Sequence, residues 1–82
     1  MSATARFTLL TRAGCELCEE MLAALELFCA GRDVAIELID VDGDAGLRSR
    51  YGLKVPVLLL DGEPVCHGRF DATEIGRLLK WQ

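Results

Sequence analysis

Two of the four cysteines lie at a spacing that suits thiol–disulfide exchange. Cys15 and Cys18 are separated only by Glu16 and Leu17, so on a helix their sulfurs would lie on one face, nearly one turn apart and close enough to join. In such a pair one thiolate attacks a disulfide, and its neighbour then resolves the mixed disulfide. Four cysteines scattered at random over this length would form such a pair about one time in seven. The elements around the pair must therefore support the interpretation.

The flanking sequence predicts that Cys15 lies at the amino end of a helix. The apolar run over residues 7–11 predicts a strand, and a tight turn through Gly14 would end it. Apolar side chains then recur at helical spacing over residues 15–30. Free backbone N–H groups and the dipole at the start of this helix would stabilise a thiolate on Cys15. The predicted inward-facing stripe consists of Leu17, Met21, Leu22, Leu25, Phe28 and Cys29.

Charged side chains close to the pair oppose one another. Glu16, Glu19 and Glu20 lie within about one turn of Cys15, and negative charge disfavours a thiolate. Arg12 and the helix amino terminus act in the opposite direction. We therefore expect a comparatively reducing dithiol whose nucleophile is only moderately acidified, with Glu16 as a candidate modulator.

The rest of the chain predicts three more strands and two more helices. Asp61 and Gly62 are a strong hairpin signal, and Asp71 or Thr73 can cap the last helix. The order β-α-β-α-β-β-α predicts an α/β fold in one domain over residues 1–82, with a four-stranded mixed sheet flanked by three helices. The predicted elements are a strand over 34–39, a capping loop over 40–44, a helix over 44–51, strands over 55–60 and 63–67, and a helix over 71–81.

The last two predicted strands form a hairpin whose two-residue loop fixes the pairing. Pro64 has no N–H to donate, so its strand is predicted to lie at the edge of the sheet. On this pairing Cys66 shares a face with Val57 and is predicted to pack there. His67 lies at the end of the sheet, either solvated or close enough to tune the dithiol. The predicted pairs are Leu60 with Glu63, Leu59 with Pro64, Val57 with Cys66, and Pro56 with His67.

The spacing of Cys15 and Cys18 after a first strand, the Val55-Pro56 step that opens a third, and the order of elements together resemble the thioredoxin fold. Within that fold the chain is most similar to the glutaredoxin-like small bacterial proteins, over essentially all 82 residues. The resemblance implies a thiol–disulfide oxidoreductase in which Cys15 is the nucleophile and Cys18 resolves. It also implies that Pro56 follows a cis peptide bond and packs beside the dithiol.

The same resemblance implies a site for glutathione as a cosubstrate. Glutaredoxins use a basic residue three before the nucleophile, which is Arg12 here, and the backbone before the cis proline, which is Val55 here. They also use a Gly-Gly-x-x-Asp turn, which matches Gly68 and Asp71, while His67 replaces the first glycine. His67 is a second candidate modulator. No cofactor is expected to remain bound, and no metal is expected.

Composition restricts the partners. Thirteen acidic against nine basic residues give a net charge of −4 and an isoelectric point near 4.8, so no basic field exists for nucleic acid. No apolar run approaches the ~20 residues of a membrane span. The first six residues lack a secretory pattern, which favours the reducing cytoplasm. We expect a monomer that takes electrons from glutathione or a thioredoxin-reductase-like protein and reduces a disulfide-containing protein.

Two other classes of function stay open at this point. Cys15, Cys18, Cys66 and His67 could supply a Cys₃His metal site, but Cys66 and His67 are adjacent on a strand, so their side chains would point to opposite faces. In a variant of this class, Cys15 and glutathione would ligate an iron–sulfur cluster. The remaining alternative is a thioredoxin-fold binding module whose groove docks a partner without turnover.

Overall fold

The computed structural model describes residues 5–79, which form four strands and three α-helices in the predicted order. A short 3₁₀ turn, Val41–Gly43, precedes the second helix. The predicted α/β class is therefore confirmed. The elements are β1 (Ala5–Thr11), α1 (Glu16–Cys29), β2 (Val34–Asp40), α2 (Ala45–Tyr51), β3 (Val57–Leu60), β4 (Glu63–His67) and α3 (Ala72–Leu79).

The four strands form one mixed sheet in the order β2-β1-β3-β4. β1 pairs in parallel with β2 and antiparallel with β3, and β3 pairs antiparallel with β4. β4 is thus an edge strand, as the missing N–H of Pro64 predicted. Within residues 5–79, no helix is long and apolar enough to cross a membrane.

Alternation of side chains along the strands gives the sheet two apolar faces. On one face, Leu9 and Leu58 pack with residues of α1 and α3, and these side chains exclude water almost completely. On the other face, Leu10 and Val57 pack against Val41 of the 3₁₀ turn. The sheet is therefore covered by α1 and α3 on one side and by the 3₁₀ turn and α2 on the other.

Helix α1 lies close to its predicted position, but its buried face differs from the predicted inward-facing stripe. Leu17, predicted to face inward, is 50% exposed. Cys18 begins the stripe instead, because residues at spacings of three, four and four from it share one helical face. The helix ends before Gly31, whose positive φ of 78° suits glycine at this position. The buried residues of α1 are Cys18, Met21, Leu25 and Cys29.

The hairpin between β3 and β4 differs from the predicted pairing by one residue. Leu60 with Glu63 and Leu59 with Pro64 pair as predicted, but a β-bulge follows. Val65 is the extra residue of the edge strand, where bulges are common. The predicted pairs of Val57 with Cys66 and of Pro56 with His67 are therefore wrong. In the structure, Leu58 lies opposite Cys66 and Val57 lies opposite His67.

Two other predicted segments differ from the structure, and the choice of cap for the last helix, left open by the sequence, is resolved. β3 begins at Val57 and not at Val55, because Pro56 has no N–H for a strand ladder. The predicted loop over 40–44 contains the 3₁₀ turn, whose Val41 is fully buried. Asp71, not Thr73, caps α3 by accepting a 2.9 Å hydrogen bond from the Glu74 N–H. The predicted end of that helix at Trp81 lies outside the described residues.

Candidate active site

The two cysteines of the motif form a disulfide at the start of α1. Cys15 is the N-cap of the helix, and its Sγ accepts a 3.0 Å hydrogen bond from the backbone N–H of Cys18. The N-cap position predicted from sequence is confirmed. In the reduced protein this N–H and the helix dipole favour the thiolate form of Cys15 over the thiol.

The two sulfurs of the motif differ in access to solvent. Cys15 is half-buried, whereas Cys18 is only 4% exposed and packs on the inward face of α1. An incoming disulfide can therefore reach Cys15 more easily than Cys18. The predicted roles of Cys15 in attack and of Cys18 in resolution are compatible with this asymmetry and stay predictions.

The sheet brings three loops to one end of the molecule. Leu10, near the end of β1, lies opposite Val57 at the start of β3, and Val57 in turn lies opposite His67 at the end of β4. Three segments therefore lie at the same end of the strands: the dithiol loop after β1, the Val55-Pro56 step before β3, and the turn after β4. The Gly68 N–H donates a 2.8 Å hydrogen bond to the Pro56 carbonyl oxygen, which fixes the last two segments to each other.

The residues that were predicted to bind glutathione have defined surroundings. The Val55-Pro56 bond is cis, and the half-buried Val55 side chain packs on the Val57 face of the sheet. Gly68 has a positive φ of 75°, a conformation that favours glycine in this turn. Asp71 is exposed, but its carboxylate is already used as the cap of α3. Their role in binding glutathione stays a prediction.

Arg12 makes contacts that the sequence did not predict. Its Nε and Nη2 donate hydrogen bonds of 3.1 and 2.8 Å to the two carboxylate oxygens of Asp42, and its Nη1 donates one of 3.0 Å to the Gly52 carbonyl oxygen. The Arg12 guanidinium holds the pKa of the Asp42 carboxyl below its usual range, mainly through these hydrogen bonds. Asp42 was missed because the acidic loop was interpreted only as a helix cap. No sequence signal pairs it with a residue thirty positions earlier.

The acidic side chains near the dithiol are solvated. Glu16, Glu19 and Glu20 are all exposed, and none of them forms an ion pair with a residue in the described part of the chain. The effect of these carboxylates on the Cys15 thiolate, which would oppose that of the helix dipole, stays a prediction.

The other two cysteines lie apart from the dithiol. Cys29 is buried in the core under α1, as predicted, and burial raises the pKa of its thiol. Cys66 is half-buried against that same core and not on the predicted face of Val57, and burial raises the pKa of its thiol as well. His67 is exposed. Among residues 5–79, no three His, Cys, Asp or Glu side chains are grouped closely enough to hold a metal, so the Cys₃His set does not assemble.

A shallow groove of about 380 Å³ runs beside the motif, between α1 and the turn after β4. Leu17, an apolar residue of the motif, lies on the wall of this groove and is half exposed. Arg69 and Glu20 add one positive and one negative charge to its lining. The lining residues are Leu17, Glu20, Met21, Ala24, Gly68, Arg69 and Phe70.

The family of the chain follows from a match that includes this whole site. Residues 6–80 match the family described as Glutaredoxin-like domain (DUF836). The chain belongs to this family. An uncharacterized protein of Mycobacterium tuberculosis is 41% identical over 59 residues, which cover 66% of this chain. That match spans 61% of the length of the mycobacterial protein, which is less than two thirds.

Solved structures show the same architecture. A protein of Nitrosomonas europaea is 31% identical, with a TM-score of 0.83 over 95% of this chain and 94% of its own. A protein of X. campestris is 36% identical, with a TM-score of 0.71 over 93% of this chain and 97% of its own. Thioredoxin 1 of Thermosipho africanus is 19% identical with a TM-score of 0.64 over 93% and 96%, a likeness of fold alone. The predicted thioredoxin-like fold and glutaredoxin-like family are confirmed.

Proposed function

We propose that the protein is a thiol–disulfide oxidoreductase of glutaredoxin-like type, which exchanges disulfides through Cys15 and Cys18. The observation that carries the proposal is the position of Cys15. It caps α1, its sulfur accepts the Cys18 N–H, and it is the more accessible of two cysteines that are close enough to join. A helix N-cap both lowers the pKa of a thiol and leaves it open to an incoming disulfide.

The proposed reaction proceeds in two exchanges. The Cys15 thiolate attacks one sulfur of a substrate disulfide, which forms a mixed disulfide and releases the other substrate sulfur as a thiolate that takes up a proton. The Cys18 thiolate then attacks the Cys15 sulfur, forms the Cys15–Cys18 disulfide and releases the second substrate thiol. The substrate disulfide gains two electrons and the dithiol loses two.

A donor must return these electrons before the next turnover. Two molecules of glutathione, or the dithiol of a thioredoxin-reductase-like protein, would reduce the Cys15–Cys18 disulfide and become oxidised to a disulfide themselves. The Val55-Pro56 backbone and the Gly68 turn, which are tied together at the end of the sheet, offer main-chain groups to such a molecule. This chemistry suits a reducing compartment, and we propose the cytoplasm.

Turnover assays with two substrates test the proposal. The purified protein is given insulin or a glutathione mixed disulfide, with reduction followed in the presence of a thiol donor. Because Cys15 supplies the attacking sulfur, Cys15→Ser is expected to lower both rates about a hundredfold or more. Cys66→Ser, which changes a half-buried cysteine of the core edge, is the matched control and is expected to retain the wild-type rates.

Full activity of Cys15→Ser on both substrates would refute the proposal. A wild-type protein that binds disulfide peptides but reduces neither substrate would favour the non-catalytic binding module. Visible absorbance after anaerobic reconstitution with iron and sulfide, dependent on Cys15 and glutathione, would favour the iron–sulfur alternative.

A further inference from the structure

Arg12 occupies the position from which a cation could act on the dithiol and its substrate. It lies three residues before Cys15, in the connection between β1 and α1. A free guanidinium presents two parallel N–H groups, from Nε and one Nη, that match the two oxygens of a carboxylate. It also carries a full positive charge at any physiological pH.

Both of these properties are already used inside the protein. The Nε and Nη2 edge of Arg12 binds both oxygens of the Asp42 carboxylate, and the Nη1 group binds the Gly52 carbonyl oxygen. Asp42 thus occupies the guanidinium edge that could otherwise bind the carboxylate of an anionic ligand. Its negative charge also offsets the charge of the arginine.

The carboxylate of Asp42 is held in place by the 3₁₀ turn. The Asp42 N–H donates a 2.9 Å hydrogen bond to the Asp40 carboxylate, and the neighbouring Val41 is fully buried on the sheet. The turn therefore presents Asp42 to Arg12 without the need to order a flexible loop. Both side chains remain partly exposed, 36% for Arg12 and 41% for Asp42, so the pair lies within reach of a ligand at the surface.

We propose that Asp42 is a specificity-determining residue, which withholds Arg12 from anionic small-molecule disulfides and so favours protein disulfides as substrates. This inference rests on the proposed exchange chemistry of Cys15. Glutathione carries two carboxylates and one ammonium group, and its mixed disulfides would need a cation to offset the acidic surface of α1. A protein disulfide can instead use apolar and main-chain contacts beside the motif.

Removing the Asp42 charge should therefore release a cation beside the dithiol. Asp42→Asn keeps the shape of the side chain and one acceptor oxygen but ends the bidentate ion pair. The freed charge would attract an anionic substrate and would stabilise the Cys15 thiolate, which lowers the pKa of that thiol. Two other charged groups act on the pair: Asp40 acts on Arg12, and Arg48 acts on Asp42. The exposed carboxylates of Glu16, Glu19 and Glu20 follow Arg12 in the chain by four to eight residues.

The test compares two substrates in matched variants. For Asp42→Asn, the ratio of kcat/KM for the glutathione mixed disulfide to kcat/KM for insulin is expected to rise about two- to tenfold. The rate of Cys15 alkylation at neutral pH is expected to rise as well. Glu37→Gln is the control, because it makes the same change of charge in an exposed ion pair with Arg6, 3.7 Å long and at another site on the sheet.

A double variant separates release of Arg12 from a general charge effect. In Arg12→Ala/Asp42→Asn the gain is expected to disappear, because no cation remains to be released. An unchanged ratio in Asp42→Asn, an equal rise in Glu37→Gln, or a gain that survives loss of Arg12 would each overturn the proposal. Asp42→Ser, which also removes the charge, is expected to act in the same direction and replaces Asp42→Asn if that variant does not fold.

The alkylation assay keeps this inference distinct from the proposed function. If neither substrate is reduced in a Cys15-dependent way, the oxidoreductase proposal fails. The pH dependence of Cys15 alkylation still decides whether Asp42 keeps the charge of Arg12 from acting on Cys15. A profile that is identical in the wild type and Asp42→Asn would overturn that control.

Discussion

Cys15 and Cys18 have the same functional group, yet the start of α1 gives their sulfurs different surroundings. Cys15 is the N-cap and its Sγ accepts a helix N–H, whereas Cys18 is buried on the inward face. The difference comes from position along the helix, since Cys15 caps the helix end while Cys18, nearly one turn later, begins the inward stripe. The division of roles between attack and resolution would follow from this geometry.

Burial distinguishes the remaining cysteines from Cys15 in a measurable way. Desolvation raises the pKa of the Cys66 and Cys29 thiols, so at neutral pH a smaller fraction of each is thiolate than in an exposed cysteine. After reduction of the protein, iodoacetamide is expected to modify Cys15 first, and modification of Cys66 is expected to accelerate as the pH rises through its raised pKa. Peptide mass spectrometry over time measures each rate. Modification of Cys66 ahead of Cys15 at neutral pH would contradict this order.

At the scale of elements, the connection from α2 to β3 leads to the cis proline and packs closely at Gly52. Gly52 ends α2, is buried, and accepts the hydrogen bond from Arg12. A Cβ atom added to Gly52 would lie 2.5 Å from the Arg48 carbonyl oxygen, a backbone atom that cannot rotate away. This glycine is required for close packing and not for an unusual φ.

A pair of glycine-to-alanine substitutions tests whether close packing at Gly52 contributes to stability. Gly52→Ala is expected to lower the free energy of unfolding by about 1–3 kcal/mol through overpacking. Gly76→Ala, in α3 where an added Cβ meets nothing within 4 Å, is expected to raise it by up to about 1 kcal/mol through helix propensity. Urea denaturation of both oxidised proteins gives the comparison. Equal stability of Gly52→Ala and the wild type would show that the backbone relaxes.

The elements themselves follow largely from local pattern. The turn at Asp61 and Gly62 and the edge position of Pro64 each depend on residues close in sequence, and the structure agrees with both. The helical period of α1 is also local, but the prediction placed Leu17 on the inward stripe where the structure has Cys18. The bulge at Val65 could not be predicted in the same way. A bulge adds one residue without changing the loop, so the alternation on either side gives no sign of it.

At the scale of the whole molecule, the sheet order explains which residues of the site could be predicted from the sequence. The motif cysteines and the Val55-Pro56 step were identified because each carries its own local signal. The contact between Arg12 and Asp42 depends on the parallel pairing of β1 and β2. Because of this pairing, the loops after the two strands lie at the same end of the sheet. Such a contact is fixed by tertiary structure and leaves no periodic trace in the sequence.

The same topology unites the dithiol with its neighbours. β1 lies at the centre of the sheet between β2 and β3, and the loops beyond its end carry Cys15, Asp42 and Pro56. A change in one loop is therefore expected to affect the chemistry of the others through charge and packing rather than through large motions. We propose that exchange at this end of the sheet begins at Cys15.

The most direct test of attack through Cys15 is to trap the mixed disulfide, which is the first intermediate of the exchange. In Cys18→Ser the resolving sulfur is absent, so a mixed disulfide formed on Cys15 should persist. After incubation with a peptide disulfide, intact mass spectrometry is expected to show one peptide adduct, and mapping is expected to place it on Cys15. No adduct, or an adduct on Cys66 or Cys29 with Cys15 unmodified, would contradict the account.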